Sequence, residues 1–463
     1  MKRIWIKDTI KKKSEKVKVS GWISSVRSHG KIIFADLRDF SGSLQLVFVP
    51  SDKETYEKAK RIRSEWVVEV GGKISERPEN MFNDKIETGR IELSADNLNI
   101  LSEAENIPFS IEGLGFDISE EKRMKYRYID LRRERLKKNL IERQKIIQFI
   151  RSYLQERSFV EVETPIITKS TPEGARDFVI PSRIQKGKFY ALPQSPQQYK
   201  QLLQVAGIER YFQIARCFRD EDPRADRQAE FTQLDLEMSF VEQEDVISLI
   251  EPLLIELVKN LYPEKNIQEV PFPRISYQEA MEKYKTDRPD LRKSPENLAF
   301  CWVLDFPFFE KDENKKWTFT HNPFSAPKPE FMEDLLGKRN IEKILTTQYD
   351  VVLNGYEIGG GSIRNHKPEA LKAVFEIMGY KESEIKDKFG HMLEAFAYGA
   401  PPHGGIAWGM DRLIALLMGE QNIREVIAFP KTGDSRDLMM GSPDEISPKQ
   451  LKELGIKVEK KKK

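Results

Sequence analysis

Between Phe212 and Phe240 the chain reads FQIARCFRDEDPRADRQAEFTQLDLEMSF, two alternating runs around a charged segment with one proline. A side-chain period of two belongs to β-strands, so this stretch predicts a hairpin. In its second strand Phe231, Gln233, Asp235 and Glu237 share one face, and Thr232, Leu234, Leu236 and Met238 share the other. In the first strand Cys217, Arg219 and Glu221 fall together. One surface can thus present a guanidinium, carboxylates, an amide and an aromatic plane. Arginine forks grip phosphate or carboxylate oxygens and a phenyl ring stacks on a base, which suits a nucleoside triphosphate held beside an amino acid. On charge density alone, a salt-bridged, solvated hairpin is an equal alternative.

The 463 residues allow about two to four domains. With 39% hydrophobic and 32% charged residues the composition is that of a soluble globular protein, and no apolar run approaches the roughly 20 residues that span a bilayer. The start, MKRIWIKDTIKKK, has no apolar signal core, which predicts a cytoplasmic location. Cys217 and Cys301 are the only cysteines, too few for a disulfide framework or a zinc cluster. A net charge of +2 neither demands nor excludes a nucleic-acid partner.

Residues 1–103 carry five short alternating strands and one polar helix, the order of a small closed OB-type barrel. Phe34 falls on its second strand, Gln45 on its third, and Arg27 and His29 in the turn between the first two. An aromatic with cationic and amide neighbours is what an unpaired RNA loop requires, although a lone barrel phenylalanine is more often core. Residues 104–134 read as a hinge whose basic cluster, Arg123 to Arg135, is either a solvated linker or an RNA contact. From residue 135 onward helices and strands mix, giving an α+β chain. Leu136, Leu140, Ile146, Ile147, Ile150 and Leu154 form a helical stripe. Ser195 can cap a helix opening at Pro196, which sets Gln197 and Lys200 on one face. Asn354-Gly355 predicts a tight hairpin pairing Val352 with Glu357 and Asp350 with Gly359. Asp350 and Glu357 then lie diagonally on one face, where two carboxylates suit Mg2+. Arg364 falls on the opposite face unless the GGGS run bulges the strand. A glycine-rich strand end precedes a helix opening near Met410 and closed by Gly419.

The string RCFRDED-RADRQ-EFTQ closely resembles motif 2 of class II aminoacyl-tRNA synthetases, in the bacterial-type aspartyl form. FVEVETPIITKS resembles motif 1 and YGAPPHGGIAWGMDRLIALLMG motif 3, and GW, IIFADLRD and Gln45 resemble the anticodon-binding barrel. The resemblance implies an antiparallel-sheet catalytic domain over residues 135–463, a homodimer, and aspartate-tRNA ligase activity with ATP and Mg2+. The partners it implies are L-aspartate and tRNA-Asp, with tRNA-Asn left open. Arg219 and Arg412 would be catalytic. Glu173, Ser195, Gln197, Lys200, Arg219, Gln233, Asp235, His321 and Arg364 would hold aspartate, with Arg364 gripping its side-chain carboxylate bidentately. Arg219, Glu221, Gln228, Phe231, Glu357, Gly409, Met410, Asp411 and Arg412 would hold ATP, Asp350 and Glu357 the metal, and Arg27, His29, Phe34 and Gln45 the anticodon. Three departures stand out: SSVRSHG lacks the usual arginines, Asn322 replaces a second histidine, and only the nine residues Lys293 to Cys301 stand where relatives insert a domain. A sister enzyme of asparaginyl, lysyl or amide-ligase type and a non-catalytic RNA-binding paralogue are the alternatives.

Overall fold

The computed structural model describes residues 2–170 and 173–459, so Thr171 and Pro172 of the STPEGARDF loop lie outside the described residues. The chain forms two compact units, Met1–Ser110 and Ile111–Lys463.

The first unit is a closed five-stranded barrel in which Lys16–His29 pairs with both Ile32–Arg38 and Val67–Glu76, and the circuit closes through Ser43–Phe48 and Ile91–Ser102. Alternation does what the sequence asks. Ile33, Ala35 and Leu37 are buried in the barrel core, while Phe34, Asp36 and Arg38 point outward. The polar helix is only one short piece, Lys53–Ala59, capped by Asp52. The expected first turn is shorter too. The opening strand runs through Arg27 to His29, leaving Gly30 and Lys31 to turn the chain, because Arg27 pairs with Phe34 and His29 with Ile32.

The second unit is built on an eight-stranded sheet. Its inner pairs are antiparallel, and a parallel pair closes each margin. The strand Glu230–Ser239 lies between Arg210–Phe218 and His403–Gly409. Its even-numbered residues, Leu234, Leu236 and Met238, enter the main core beneath the helices Glu134–Gln155, Gln243–Leu261 and Met410–Met418. Its odd-numbered residues face the other way, and the site lies there.

The segment expected as a hinge is split between the units, and residues from 111 onward are built into the second. Arg123, Arg127 and Arg133 are buried and converge on Asp130, while Arg123 also grips Glu425 and Arg127 caps the carbonyls of Arg424, Ile427 and Ala428. A cationic run of this kind reads as solvated only while its distant partners are unseen. These arginines are interior struts rather than an RNA surface.

Candidate functional site

The two strands of the motif-2 hairpin pair as their alternation requires, Phe231 opposite Cys217 and Asp235 opposite Gln213. Beyond the first strand the Arg219 amide still donates to the Ala229 carbonyl (2.8 Å), so the pairing carries Arg219 into position beside Phe231. Its guanidinium sits 5.1 Å from the Phe231 ring centroid. Both line one cavity of about 350 Å³, together with Glu173, Ser195, Gln197, Lys200, Glu221, Gln228, Gln233, Asp235, His321, Glu357, Arg364, Gly409, Asp411 and Arg412. Lys200, Arg219 and Arg364, from three separate elements, converge there.

One end of this cavity is a buried ionic block. The helix Gln197–Val205 lays Lys200 over the central strand, its Nζ 3.0 Å from Asp235 and 3.2 Å from Glu237. Arg364 donates from Nε to one Glu237 oxygen (2.8 Å) and from Nη2 to the other (3.2 Å), and also to Ser362 Oγ and the Gly405 carbonyl. A Cβ at position 405 would collide with the Leu236 carbonyl and the Glu237 carboxylate, so glycine permits this close packing. The bidentate grip expected for Arg364 is therefore on Glu237. Of its five N–H groups one, on Nη1, remains for a ligand. Likewise Lys200, expected to need a substrate anion, already has two carboxylates of the protein. Burial pushes the Asp235 carboxyl up to about 6 against the pull of Lys200. At Glu237 burial pushes the same way but is outweighed by Arg364 and Lys200, which hold that carboxyl below its ordinary value.

Arg364 reaches this face because the hairpin is bulged. Val352 pairs with Glu357 as expected, but Val351 pairs with Gly359 and Asp350 with Gly360, so Ile358 is the extra residue. That shift corrects the expected Asp350–Gly359 pair and turns Arg364 to the site side. Asp350 is buried behind Gly360, its Oδ1 accepting from Gln348 Nε2 (2.7 Å) and its Oδ2 3.8 Å from His321 Nδ1. Burial, with Glu357 nearby and against the pull of His321, pushes its carboxyl up to about 7. Burial would lower the His321 pKa, yet Asp350 and Glu357 outweigh it and raise it. A buried Asp350 carboxyl with Glu357 nearby fits a Mg2+ ion completing its shell with water and phosphate. Among the described residues no set of three or more protein ligands stands ready to hold a metal unaided.

The other end is more open. Arg412, in the first turn of the helix Met410–Met418, donates to the Glu357 carbonyl and to Asp226 (3.2 Å), and its Nε is buried with no partner. An orphaned guanidinium donor in a cavity wall suits an anion. Asp411 is occupied structurally, accepting from the Thr232 amide (2.9 Å) and from Arg143. Met410 departs from expectation, because its side chain is fully buried in the main core and cannot reach a nucleotide. Over the cavity Glu173 accepts from Ser195 Oγ (2.7 Å), which also accepts from the Gln197 amide, so the helix opens one residue later than expected.

On the barrel, Phe34 is half-buried on the outer wall beside Arg27, which donates to Asp36 (2.7 Å) and Gln45 (2.6 Å). His29 is exposed at the strand end. Sequence reasoning missed Glu92, which accepts from Gln45 (2.8 Å), and Arg77, whose Nε donates to the Ile91 carbonyl while Nη2 is buried without a partner. It also missed the cavity residues Asp226 and Gln348. The latter could have been read from its position two residues before Asp350.

A family profile described as "tRNA synthetases class II (D, K and N)" matches residues 119–433, and one described as "OB-fold nucleic acid binding domain" matches residues 17–101. The chain is 42% identical to an aspartate-tRNA(Asp/Asn) ligase of Dictyoglomus turgidum, over 96% of each chain. It is 41% identical to one of Caldanaerobacter subterraneus, over 97% of each. The first alignment runs over 572 positions, roughly a hundred more than the 463 residues here, so that relative carries residues with no counterpart in this chain. In fold the chain is similar to the asparaginyl-tRNA synthetase of Pyrococcus horikoshii (TM-score 0.76, 23% identity, 93% of this chain and 98% of that one). It is also similar to the aspartyl-tRNA synthetase of Entamoeba histolytica (TM-score 0.73, 22% identity, 93% and 91%).

Proposed function

The chain belongs to the class II tRNA synthetases of the D, K and N type, and from that premise we propose that it is an aspartate-tRNA ligase acting in the cytoplasm. The observation that carries the reading is the convergence of Lys200, Arg219 and Arg364 on one cavity. The buried block offers the remaining N–H groups of Lys200 and Arg364 to a side-chain carboxylate. Asparagine would turn its amide donors toward these cations, and lysine would add a third positive charge. Gln197 and Glu173 hold the ammonium, and Arg219 takes the α-carboxylate and the α-phosphate together. Phe231 stacks on adenine, while Arg412 faces the phosphates with Glu221 and Gln228 beside it.

The aspartate α-carboxylate attacks the ATP α-phosphorus, forming aspartyl-adenylate and releasing pyrophosphate. The 3′-terminal ribose hydroxyl of tRNA then takes the aspartyl group as AMP leaves. No side chain acts as nucleophile. Alignment and the placement of Arg219 and Arg412 against developing charge supply the rate. Asp350 and Glu357 would hold a Mg2+ ion, which offsets phosphate charge when bound.

The barrel reads the anticodon with Phe34, Arg27, Gln45 and His29. The relatives' names extend this proposal to tRNA-Asn as well as tRNA-Asp. The protein acts as a homodimer, a reading supported by exposed Val160, Ile166, Ile167, Val179 and Phe189 on the motif-1 segment and the hairpin after it. Pyrophosphate exchange with each amino acid, followed by charging of separate tRNA-Asp and tRNA-Asn transcripts, tests the proposal. Aspartate alone should support exchange, and both transcripts should be charged. Exchange with asparagine or lysine, or none at all, would contradict it.

A further inference from the structure

The wall of the cavity at Gln197 is the visible end of a buried relay that none of the roles above uses. His403 is fully buried, and its Nδ1 lies 2.7 Å from the Pro401 carbonyl oxygen. A carbonyl only accepts, so Nδ1 carries the proton. Burial holds this ring far below the usual histidine range, at about 4, with Glu237 pulling the other way. At neutral pH its Nε2 is therefore a bare acceptor. The Nε2 of Gln201, also fully buried, lies 3.1 Å from that nitrogen and must donate to it. Gln201 Oε1 then accepts from Gln197 Nε2 at 3.0 Å. What remains of the Gln197 carboxamide is the second N–H of Nε2 and the oxygen, which takes no hydrogen bond from the described residues, on a side chain that lines the cavity.

We infer that His403 and Gln201 are positioning residues that fix the Gln197 carboxamide with its oxygen toward the cavity, as an acceptor for the α-ammonium of the bound amino acid. Every link has one allowed direction, so the tautomer of a histidine outside the cavity lining sets the polarity of a group inside it. Reversal would present an NH2 group to an ammonium, a donor facing a donor. The inference rests on the aspartate reading, and the test separates the two.

Wild-type exchange with aspartate is scored first, and its absence overturns the reading of function itself. Given that exchange, Gln201→Met and His403→Leu should each raise the aspartate KM about tenfold, as for loss of one hydrogen bond to a charged group, with kcat and the ATP KM within about twofold. His403→Gln, which can still offer Gln201 an amide oxygen, should stay near wild type. Succinate, with both carboxylates and no ammonium, should inhibit wild type and variants with the same Ki. An unchanged aspartate KM in folded Gln201→Met or His403→Leu would overturn the relay, as would a succinate Ki that rises in step with the aspartate KM. Should Gln201→Met fail to fold, the contrast between His403→Leu and His403→Gln carries the test.

Discussion

The two ends of the cavity are charged in opposite styles. At the amino-acid end Lys200 and Arg364, 1% and 2% exposed, are interlocked with Asp235 and Glu237 before any ligand arrives. At the nucleotide end Arg219 and Arg412 are only partly buried and hold few partners, one of them the Gln194 carbonyl at 3.4 Å from Arg219 Nε. A buried ion pair costs desolvation and returns geometry, since its members cannot move without leaving a charge uncompensated. A partly exposed cation with donors to spare keeps part of its hydration until phosphate replaces it. On the proposed function, selection of the amino acid thus belongs to the rigid end, and charge neutralisation during adenylate formation to the open one.

That contrast is broken most directly by removing one cation from each end. Arg364→Leu leaves Glu237 buried against Lys200 alone and should destabilise the fold by about 3–5 kcal/mol in urea unfolding, besides abolishing aspartate binding while ATP binding persists. Arg219→Ala should leave stability within about 0.5 kcal/mol yet cut pyrophosphate exchange by about two to three orders of magnitude. Equal stability losses in the two variants would erase the distinction.

Titration sharpens it. The Asp235 carboxyl is raised on folding, from an ordinary value of 3.8 to about 6, so its contribution is fully present below the lower value and lost as pH rises through the higher. Across that window the stability of wild type relative to Asp235→Asn should fall, by on the order of 3 kcal/mol, as pH increases. A flat difference in pH-dependent urea unfolding would show that burial does not govern this group. The barrel supplies an outside reference. Phe34→Ala should raise the tRNA KM about tenfold, the worth of one base stacked on an aromatic ring, and leave amino-acid-dependent exchange untouched at both ends.

Much of this was legible because strands expose their period. The alternation from Phe231 to Glu237 named the face of the site, and Gly419 ended the helix after Met410 as expected, with φ of 69°. Asn354-Gly355 located its turn and the glycine run marked where the strand could bulge, but three glycines carry no pattern, so the bulge's place at Ile358 and the one-step slip at Asp350 could not be read. Partners far apart in sequence were illegible for a different reason. Arg364 meets Glu237 across 127 positions, and Arg123 meets Glu425 across 302, so the resemblance gave the Arg364 fork wholly to the substrate, and the basic run stayed open between a solvated linker and an RNA contact, where the fold makes internal ion pairs. Met410 was misread because a motif marks a segment, whereas burial decides which of its side chains reach the cavity.

Titration calorimetry of L-aspartate and L-asparagine into the purified protein probes the buried block without requiring tRNA or turnover. The account predicts that aspartate binds at least about a hundredfold more tightly, since asparagine leaves cationic donors facing an amide. Comparable affinities for the two amino acids would contradict it.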